Sequence, residues 1–136
     1  MIHVKAVAIL VMVLVISVSF GAVLVRPSTP TLVTYLSAQD FQKESLVTKN
    51  MLLIDVRTPE EFSSGHIHGA IVINIRQEDF STQISKLNHQ QNILIYCRSG
   101  HRTEAARAEF EKQGFKKLVI LKGGIQAWNA AQLPLE

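Results

Sequence analysis

The stretch Asn92–Arg102, NILIYCRSGHR, decides the fold of this sequence. Its first six residues predict a strand, since the five after Asn92 form a continuous apolar run, which is typical of a strand buried on both faces of a parallel sheet. The polar residues 98–101 that follow include a glycine, and they predict a loop. A helix is predicted directly after that loop, over residues 103–113, and Gly114 provides its left-handed end. A buried strand, a loop and a helix in succession form the repeating unit of an open α/β sheet.

The same pattern recurs on both sides of this stretch. Ser37 is a predicted helix N-cap, and Thr58 with Glu61 forms a capping box around Pro59. The other predicted strands are 32–36, 51–56, 70–75 and 117–121, and the other predicted helices begin at 38, 59, 79 and 125. Alternation at this short spacing predicts a doubly wound, roughly five-stranded parallel sheet with helices on both faces. The domain is assigned to residues 35–136, after a linker over residues 27–34.

The composition excludes several classes of protein. Among the 136 residues there is one cysteine, so neither a disulfide framework nor a CxxC metal or redox pair is possible within the chain. The five histidines do not have metal-ligand spacing, and we expect neither a metal nor a cofactor. The net charge is +3, without a basic run that contains interleaved aromatics, which excludes a dedicated nucleic-acid binder.

Residues 6–25 form an uncharged apolar segment at the N-terminus. As a helix it would span about 30 Å, the thickness of a bilayer core. The sequence therefore predicts a hydrophobic helix in residues 1–26 that anchors the chain in a membrane. A cleaved signal peptide is the alternative, with Ser19 and Gly21 as small residues before the cut. The apolar run continues through residues 23–25, which favours the anchor; a buried core helix is a third interpretation.

The charges that flank this segment predict its orientation. Lys5 and the amino group lie on one side and Arg26 on the other, so the positive-inside rule favours a cytoplasmic N-terminus. The domain would then lie outside the cytoplasm, on the periplasmic side, or would be secreted if the segment is cleaved. Pro27 and Pro30 favour an extended linker.

Cys97 is the candidate nucleophile. Ligands of open α/β sheets bind at the carboxyl ends of the strands, and Cys97 ends a predicted central strand. Arg98, Arg102, the loop N–H groups and the N-terminus of the next helix would all favour the thiolate, the reactive form of cysteine. A lone cysteine is more commonly a buried structural residue, but such a residue does not need two arginines and a glycine beside it.

Three stretches in order resemble the rhodanese domain of single-domain sulfurtransferases, over residues 36–136. The first is Leu53–Arg57 with Glu61-Phe62 and Gly65–Ala70, which is similar to the family pattern DVR…EF…GHIPGA. The second is Tyr96–Thr103, which is similar to YCRSGxRS. The third is Gly123–Trp128 with Leu133-Pro134, which is similar to GGxxAW…LP. His68 and Asn74 stand where the family usually has proline, and they leave open an unusual substrate entrance near His66 and His68.

The resemblance implies a thiosulfate sulfurtransferase-like reaction. Cys97 would take a sulfane sulfur from thiosulfate or a persulfide donor and pass it to cyanide or a thiol, and the acceptor thiol could belong to a protein. The loop would bind the donor and the terminal sulfur through Arg98, Ser99, Gly100, His101, Arg102 and Thr103. Asp55, Arg57 and His66 would be structural supports, with Asp55 bonded to backbone or to an arginine. Phe62 and Trp128 would be core aromatics.

Two other functions stay open. A cysteine phosphatase or arsenate reductase places an arginine six positions after its cysteine, whereas Arg102 lies five positions after Cys97, which gives a smaller loop. A carrier, sensor or non-catalytic binding module is the second alternative, although such modules usually lack the cysteine.

Overall fold

The computed structural model describes residues 29–136. The elements in chain order are β1 (Leu32–Leu36), α1 (Ala38–Val47), β2 (Met51–Asp55), α2 (Pro59–Ser63), β3 (Ile71–Val72), α3 (Phe80–Ser85), β4 (Asn92–Tyr96), α4 (His101–Lys112), β5 (Lys117–Leu121) and α5 (Gly124–Ala130). The strands form one five-stranded sheet in the order β1-β5-β4-β2-β3. Every pairing is parallel, which confirms the predicted sheet.

Two hydrophobic clusters cover the two faces of the sheet. One contains Ile93 and Ile95 of β4 together with Phe110 of α4. The other contains Leu94 of the same strand together with Trp128 of α5. Successive residues of a strand point to opposite faces, so β4 contributes to both clusters and is buried on both sides. This arrangement confirms the doubly wound architecture.

The capping signals act at the helix starts where they were predicted. The Ser37 side chain accepts from the N–H of Asp40 at 3.2 Å. Thr58 Oγ1 accepts from the N–H of Glu61, and the Glu61 carboxylate accepts from the N–H of Thr58, which completes the capping box. This box fixes the short helix α2 directly after the end of β2.

Several predicted boundaries are wrong. The third strand covers only Ile71–Val72 instead of 70–75, because the Asn74 side chain accepts from the N–H of Arg76 and turns the chain there. Helix α4 begins at His101 instead of 103, since Gly100 takes a left-handed conformation at φ 97° that starts the helix early. β1 is paired with β5 from Leu32 onward, so residues 32–34, which were assigned to the linker, form part of the sheet.

The predicted anchor or signal peptide in residues 1–26 lies outside the described residues, as does the first part of the linker. Across residues 29–136, none of the helices is both long enough and apolar enough to cross a membrane.

Candidate active site

Cys97 follows the last residue of β4 and is 1% exposed. The N–H of Gly100 donates to its Sγ at 3.1 Å, so the loop that follows the strand folds back over the sulfur. Thr103, itself fully buried, donates from Oγ1 to the carbonyl of Gly100 at 2.6 Å and closes this loop onto the first turn of α4. The sulfur therefore lies beside the N-terminus of a twelve-residue helix, where negative charge is stabilised.

The first turn of α5 forms the floor of the loop. The N–H of Ile125 donates to the carbonyl of Cys97 at 2.8 Å, and the N–H of Gln126 donates to the carbonyl of Arg98 at 3.0 Å. Gly124 makes this approach possible, because a Cβ at that position would lie 2.5 Å from both carbonyl oxygens. The sequence placed Gly124 only in a turn. The feature that could have indicated its role beneath the cysteine loop is the Gly123-Gly124 pair of the third stretch.

Arg102 is bound to a carboxylate from another element. Its two terminal nitrogens donate to the two carboxylate oxygens of Glu61, each at 2.7 Å, in a bidentate ion pair. These bonds from Arg102 lower the pKa of Glu61 to about 2, and the same pair raises the pKa of Arg102. Arg102 therefore ties α4 to α2, and Glu61 is a site-forming residue for which the sequence analysis found only a capping role.

Asp55 and Arg57 form a buried pair at the end of β2. The guanidinium Nη2 of Arg57 donates to the Asp55 carboxylate at 2.6 Å and to the carbonyl of Gly65 at 2.8 Å. The backbone N–H of Arg57 also donates to Asp55, at 2.9 Å. Asp55 is thus bonded to both backbone and arginine, the arrangement that the resemblance implies. Both side chains are satisfied within the fold.

Tyr96 lies beside this pair in the neighbouring strand. Asp55 and Tyr96 are register partners between β2 and β4, and the Arg57 guanidinium lies 5.7 Å from the centre of the Tyr96 ring. The Tyr96 hydroxyl accepts from the N–H of Ile67 at 3.1 Å. Burial and the adjacent Asp55 carboxylate raise the pKa of Tyr96, so its hydroxyl stays protonated.

His66 contacts α2 and the C-terminal segment. Its Nδ1 lies 3.1 Å from the carbonyl of Phe62, and its Nε2 lies 3.5 Å from the Glu136 carboxylate. Its ring stacks on Phe62 with the ring centres 3.7 Å apart. Phe62 is only half-buried, so its prediction as a core aromatic is wrong, whereas Trp128 is buried as predicted.

A cleft of about 570 Å³ lies beside the cysteine loop. Ser99, Gly100 and His101 form one wall, and the ends of β1 and β5 form the other. Ser99 and His101 are exposed at this surface, and Arg98, which precedes Ser99, is also exposed to solvent. Tyr35 and Lys122, which sequence reasoning missed, also line the cleft, and the Tyr35 hydroxyl donates to Glu104 at 2.8 Å. A small anionic molecule can therefore reach the loop from solvent.

Within residues 29–136, no group of three or more histidine, cysteine or acidic side chains has the arrangement of a metal site. The chemistry that the described residues offer is that of a thiol held at a helix N-terminus by backbone N–H groups.

A family model described as the rhodanese-like domain matches residues 37–131. The chain belongs to this family. A sulfurtransferase of Allochromatium vinosum is 31% identical over 104 residues, which cover 76% of this chain and 95% of that protein. Thiosulfate sulfurtransferase 18 of Arabidopsis thaliana is 32% identical over 69% of this chain and 78% of that protein. A rhodanese-related protein of Thermoplasma volcanium has the same fold, with a TM-score of 0.64 and 27% identity over 76% of this chain and 97% of that one.

These relatives support sulfur transfer as the general activity of this rhodanese-like domain. The family model covers α1 to α5 and, between them, the segment that contains Cys97.

Proposed function

We propose that this rhodanese-like domain is a sulfurtransferase that works through a persulfide on Cys97. The observation that carries the proposal is the Cys97 sulfur itself, 3.1 Å from the N–H of Gly100 at the start of α4. A thiolate is stabilised in this position, and so is the negative terminal sulfur of a persulfide. The names of the sulfurtransferase relatives support the same chemistry.

The reaction has two displacement steps. The Cys97 thiolate attacks the outer sulfur of thiosulfate, a new S–S bond forms, and sulfite leaves with the electron pair of the broken S–S bond. A persulfide donor reacts in the same way and releases a thiolate. In the second step cyanide or an acceptor thiolate attacks the terminal sulfur, and the Cys97 thiolate leaves. No external oxidant or reductant is needed.

The loop arginines have different roles in this proposal. Arg98 is exposed beside the cleft and attracts the anionic donor. Arg102 is held by Glu61, so it positions the loop and contributes less charge to the donor. The backbone of the loop residues forms the cradle, the pocket that would hold the terminal sulfur. These residues are Ser99, Gly100, His101 and Thr103, and Thr103 also contributes through its hydroxyl.

The decisive experiment is an intact mass measurement on the full chain in detergent. After incubation with thiosulfate we expect a mass gain of one sulfur atom, which cyanide removes with formation of thiocyanate. The Cys97→Ser variant is the matched control and should gain nothing. An unchanged mass with both thiosulfate and an organic persulfide would contradict the proposal, and phosphatase and arsenate assays would follow. A persulfide that neither cyanide nor thiols discharge would identify a carrier instead.

We also propose that residues 6–25 anchor the chain in a membrane with the domain on the periplasmic side. The uncharged length of this segment and the position of Lys5 support this orientation. A reporter enzyme that is active only outside the cytoplasm, fused after residue 136, should be active. Edman sequencing of the mature protein should begin at the natural N-terminus; a start near residue 22 would instead identify a signal peptide.

A further inference from the structure

The two ends of the sheet carry different side chains. The cysteine loop lies at the carboxyl ends of the strands, together with the acidic first turns of α1, α2 and α4. Most of the lysines lie at the opposite end, where strands begin and helices finish. This group, which we call the basic end, consists of Lys49 before β2, Lys86 after α3, Lys112 at the end of α4, and Lys116 and Lys117 at the start of β5.

The carboxylates at the basic end are already paired. Glu44 lies 3.0 Å from Lys117, Glu109 lies 3.9 Å from Lys112, and Glu111 lies 2.8 Å from Arg107. Lys49, Lys86 and Lys116 are exposed, and no carboxylate of residues 29–136 lies within salt-bridge distance of them. The basic end therefore presents three uncompensated positive charges to solvent.

The same end also exposes apolar side chains. Leu46 and Val47, in the last turn of α1, are 79% and 72% exposed, and Leu32, at the start of β1, is 61% exposed. These are the three most exposed large hydrophobic side chains of residues 29–136. Leu46 borders an apolar groove of about 350 Å³ that reaches Met51 and Trp128. Exposed apolar groups beside lysines are the combination that binds a lipid interface.

The chain also enters the domain at this end. The apolar segment finishes at Val25, and β1 begins at Leu32. The intervening residues can extend by no more than about 25 Å. A membrane anchor in residues 6–25 would therefore keep the basic end close to the bilayer surface, while the strands direct Cys97 away from it.

We propose that the basic end docks on a membrane surface that contains anionic lipids. Leu46 and Val47 enter the interface, while Lys49, Lys86 and Lys116 contact the lipid phosphates. A nucleic acid would pair with the lysines but would leave the three apolar side chains in water, whereas a lipid interface accommodates both kinds of side chain. The inference rests on the proposed anchor for its starting geometry, and it adds a specific surface, orientation and lipid charge.

The test uses the full chain in vesicles, with a polarity-sensitive fluorophore attached at one position. The probe is placed by Val47→Cys in a Cys97→Ser background, and a matched control probe is placed by Glu60→Cys, on the exposed first turn of α2 at the opposite end. Vesicles consist of phosphatidylcholine alone or of an equal mixture with phosphatidylglycerol. In the mixture we expect a blue shift and quenching by a lipid-borne quencher at position 47, and neither change at position 60.

The lysines supply the second part of the test. In the same labelled chain, Lys49→Gln and Lys116→Gln should each lower the docking equilibrium constant about fivefold, as about 1 kcal/mol per lysine implies. In otherwise unmodified protein with Cys97 intact, neither substitution should alter transfer from thiosulfate to cyanide in detergent. High salt should weaken docking in the same direction, because it screens the headgroup charge.

Failure of the docking proposal and failure of the anchor are distinguishable. In the first outcome the chain floats with vesicles at high salt, but the position-47 probe has the same emission with both lipid compositions. That result supports the anchor and overturns the docking proposal. In the second outcome the chain floats only at low salt and only with phosphatidylglycerol vesicles, and the position-47 probe shifts. That result overturns the anchor and supports the docking proposal. If duplex DNA or heparin shifts the probe as the vesicles do, the basic end binds soluble polyanions, and the lipid proposal is wrong.

Discussion

The ends of β2 and β4 lie side by side and look alike in sequence. Asp55 and Tyr96 are register partners, so the Val56-Arg57 pair that follows one strand lies beside the Cys97-Arg98 pair that follows the other. Yet Arg57 is 5% exposed and donates to Asp55 and Gly65, whereas Arg98 is exposed to solvent. The residue before each pair makes the difference, because Asp55 offers a carboxylate that captures Arg57. Tyr96 offers none, and its loop is free to close over a sulfur.

Neighbouring strand ends can therefore have different roles: one stabilises the fold and the other holds the reactive group. The β2 end is closed, because the Arg57 side chain is bound to the Asp55 carboxylate and to the carbonyl of Gly65. At the β4 end, the carbonyls of Cys97 and Arg98 accept from α5, while the N–H of Gly100 remains beside the Cys97 sulfur. Changes at the β2 end should therefore cost stability, and changes at the β4 end should mainly cost activity.

The largest expected effect is that of Asp55→Ala on stability. It leaves the Arg57 guanidinium buried without its partner, and we expect the free energy of unfolding to fall by about 3–5 kcal/mol. Urea denaturation followed by circular dichroism measures this change. Adding Arg57→Met to Asp55→Ala should recover part of the loss. A loss below about 1 kcal/mol for the single variant would show that the β2 end is not the structural one.

Gly124→Ala tests the floor of the cysteine loop. The new Cβ would meet the carbonyls of Cys97 and Arg98 at 2.5 Å, in a backbone that is already left-handed at φ 61°. We expect a loss of about 2–3 kcal/mol and slower transfer, because the loop must shift. Gly114→Ala is the matched control, since Gly114 has φ 84° and open space around it. It should lose only about 1–2 kcal/mol, with transfer unchanged; equal losses in the two variants would contradict the close-approach explanation.

The Glu61–Arg102 pair predicts a pH-dependent part of the stability. Glu61 has a pKa of about 2 in the folded chain against an ordinary value of 4.5. A lowered carboxyl pKa stabilises the folded state fully above pH 4.5, and this contribution is lost as the pH falls towards 2. Glu61→Gln should therefore destabilise the protein by about 1 kcal/mol at neutral pH. The difference from the unchanged protein should shrink steadily below pH 4.5 in denaturant titrations; a difference that stays constant down to pH 2 would refute the assignment.

Arg98→Ala should have the smallest effect on stability and a selective effect on the donor. Because Arg98 is exposed, we expect a change within about 0.5 kcal/mol. The KM for thiosulfate should rise about fivefold, as loss of a charge contact worth about 1 kcal/mol implies. The KM for an uncharged organic persulfide should stay the same, and steady-state kinetics with both donors would check this. Equal increases for the two donors would show that Arg98 acts on the loop and not on the donor's charge.

The sequence predicted what depends on local pattern. The bounds of β1 and β5 and the capping box at Thr58 were predicted correctly, because period, apolar runs and caps are properties of neighbouring residues. The resemblance also placed Asp55 and Arg57 near the site. The third strand was predicted too long, because the turn that Asn74 makes with Arg76 competes with the edge pairing.

Two of the features that the sequence did not predict depend on contacts between residues that are distant in the chain. Glu61 and Arg102 form an ion pair although they are 41 positions apart, and the sequence around neither residue predicts this pair. The early start of α4 depends on the backbone angle of Gly100, which a loop pattern does not specify. The supporting role of Gly124 depends on where the last helix packs. A single sequence shows which residues are present, but it does not show which residues distant in the chain lie close together in the fold.

The floor under the cysteine loop has a consequence for the order of biosynthesis. Translation delivers Cys97 and its loop well before Ile125 and Gln126, whose N–H groups donate to the carbonyls of Cys97 and Arg98. Until the residues of α5 have left the ribosome, the nascent chain contains a strand and a thiol but no finished cradle. The loop around Cys97 is therefore completed among the last features of the domain. Under the proposed function, an incomplete chain would lack the finished site for loading sulfur.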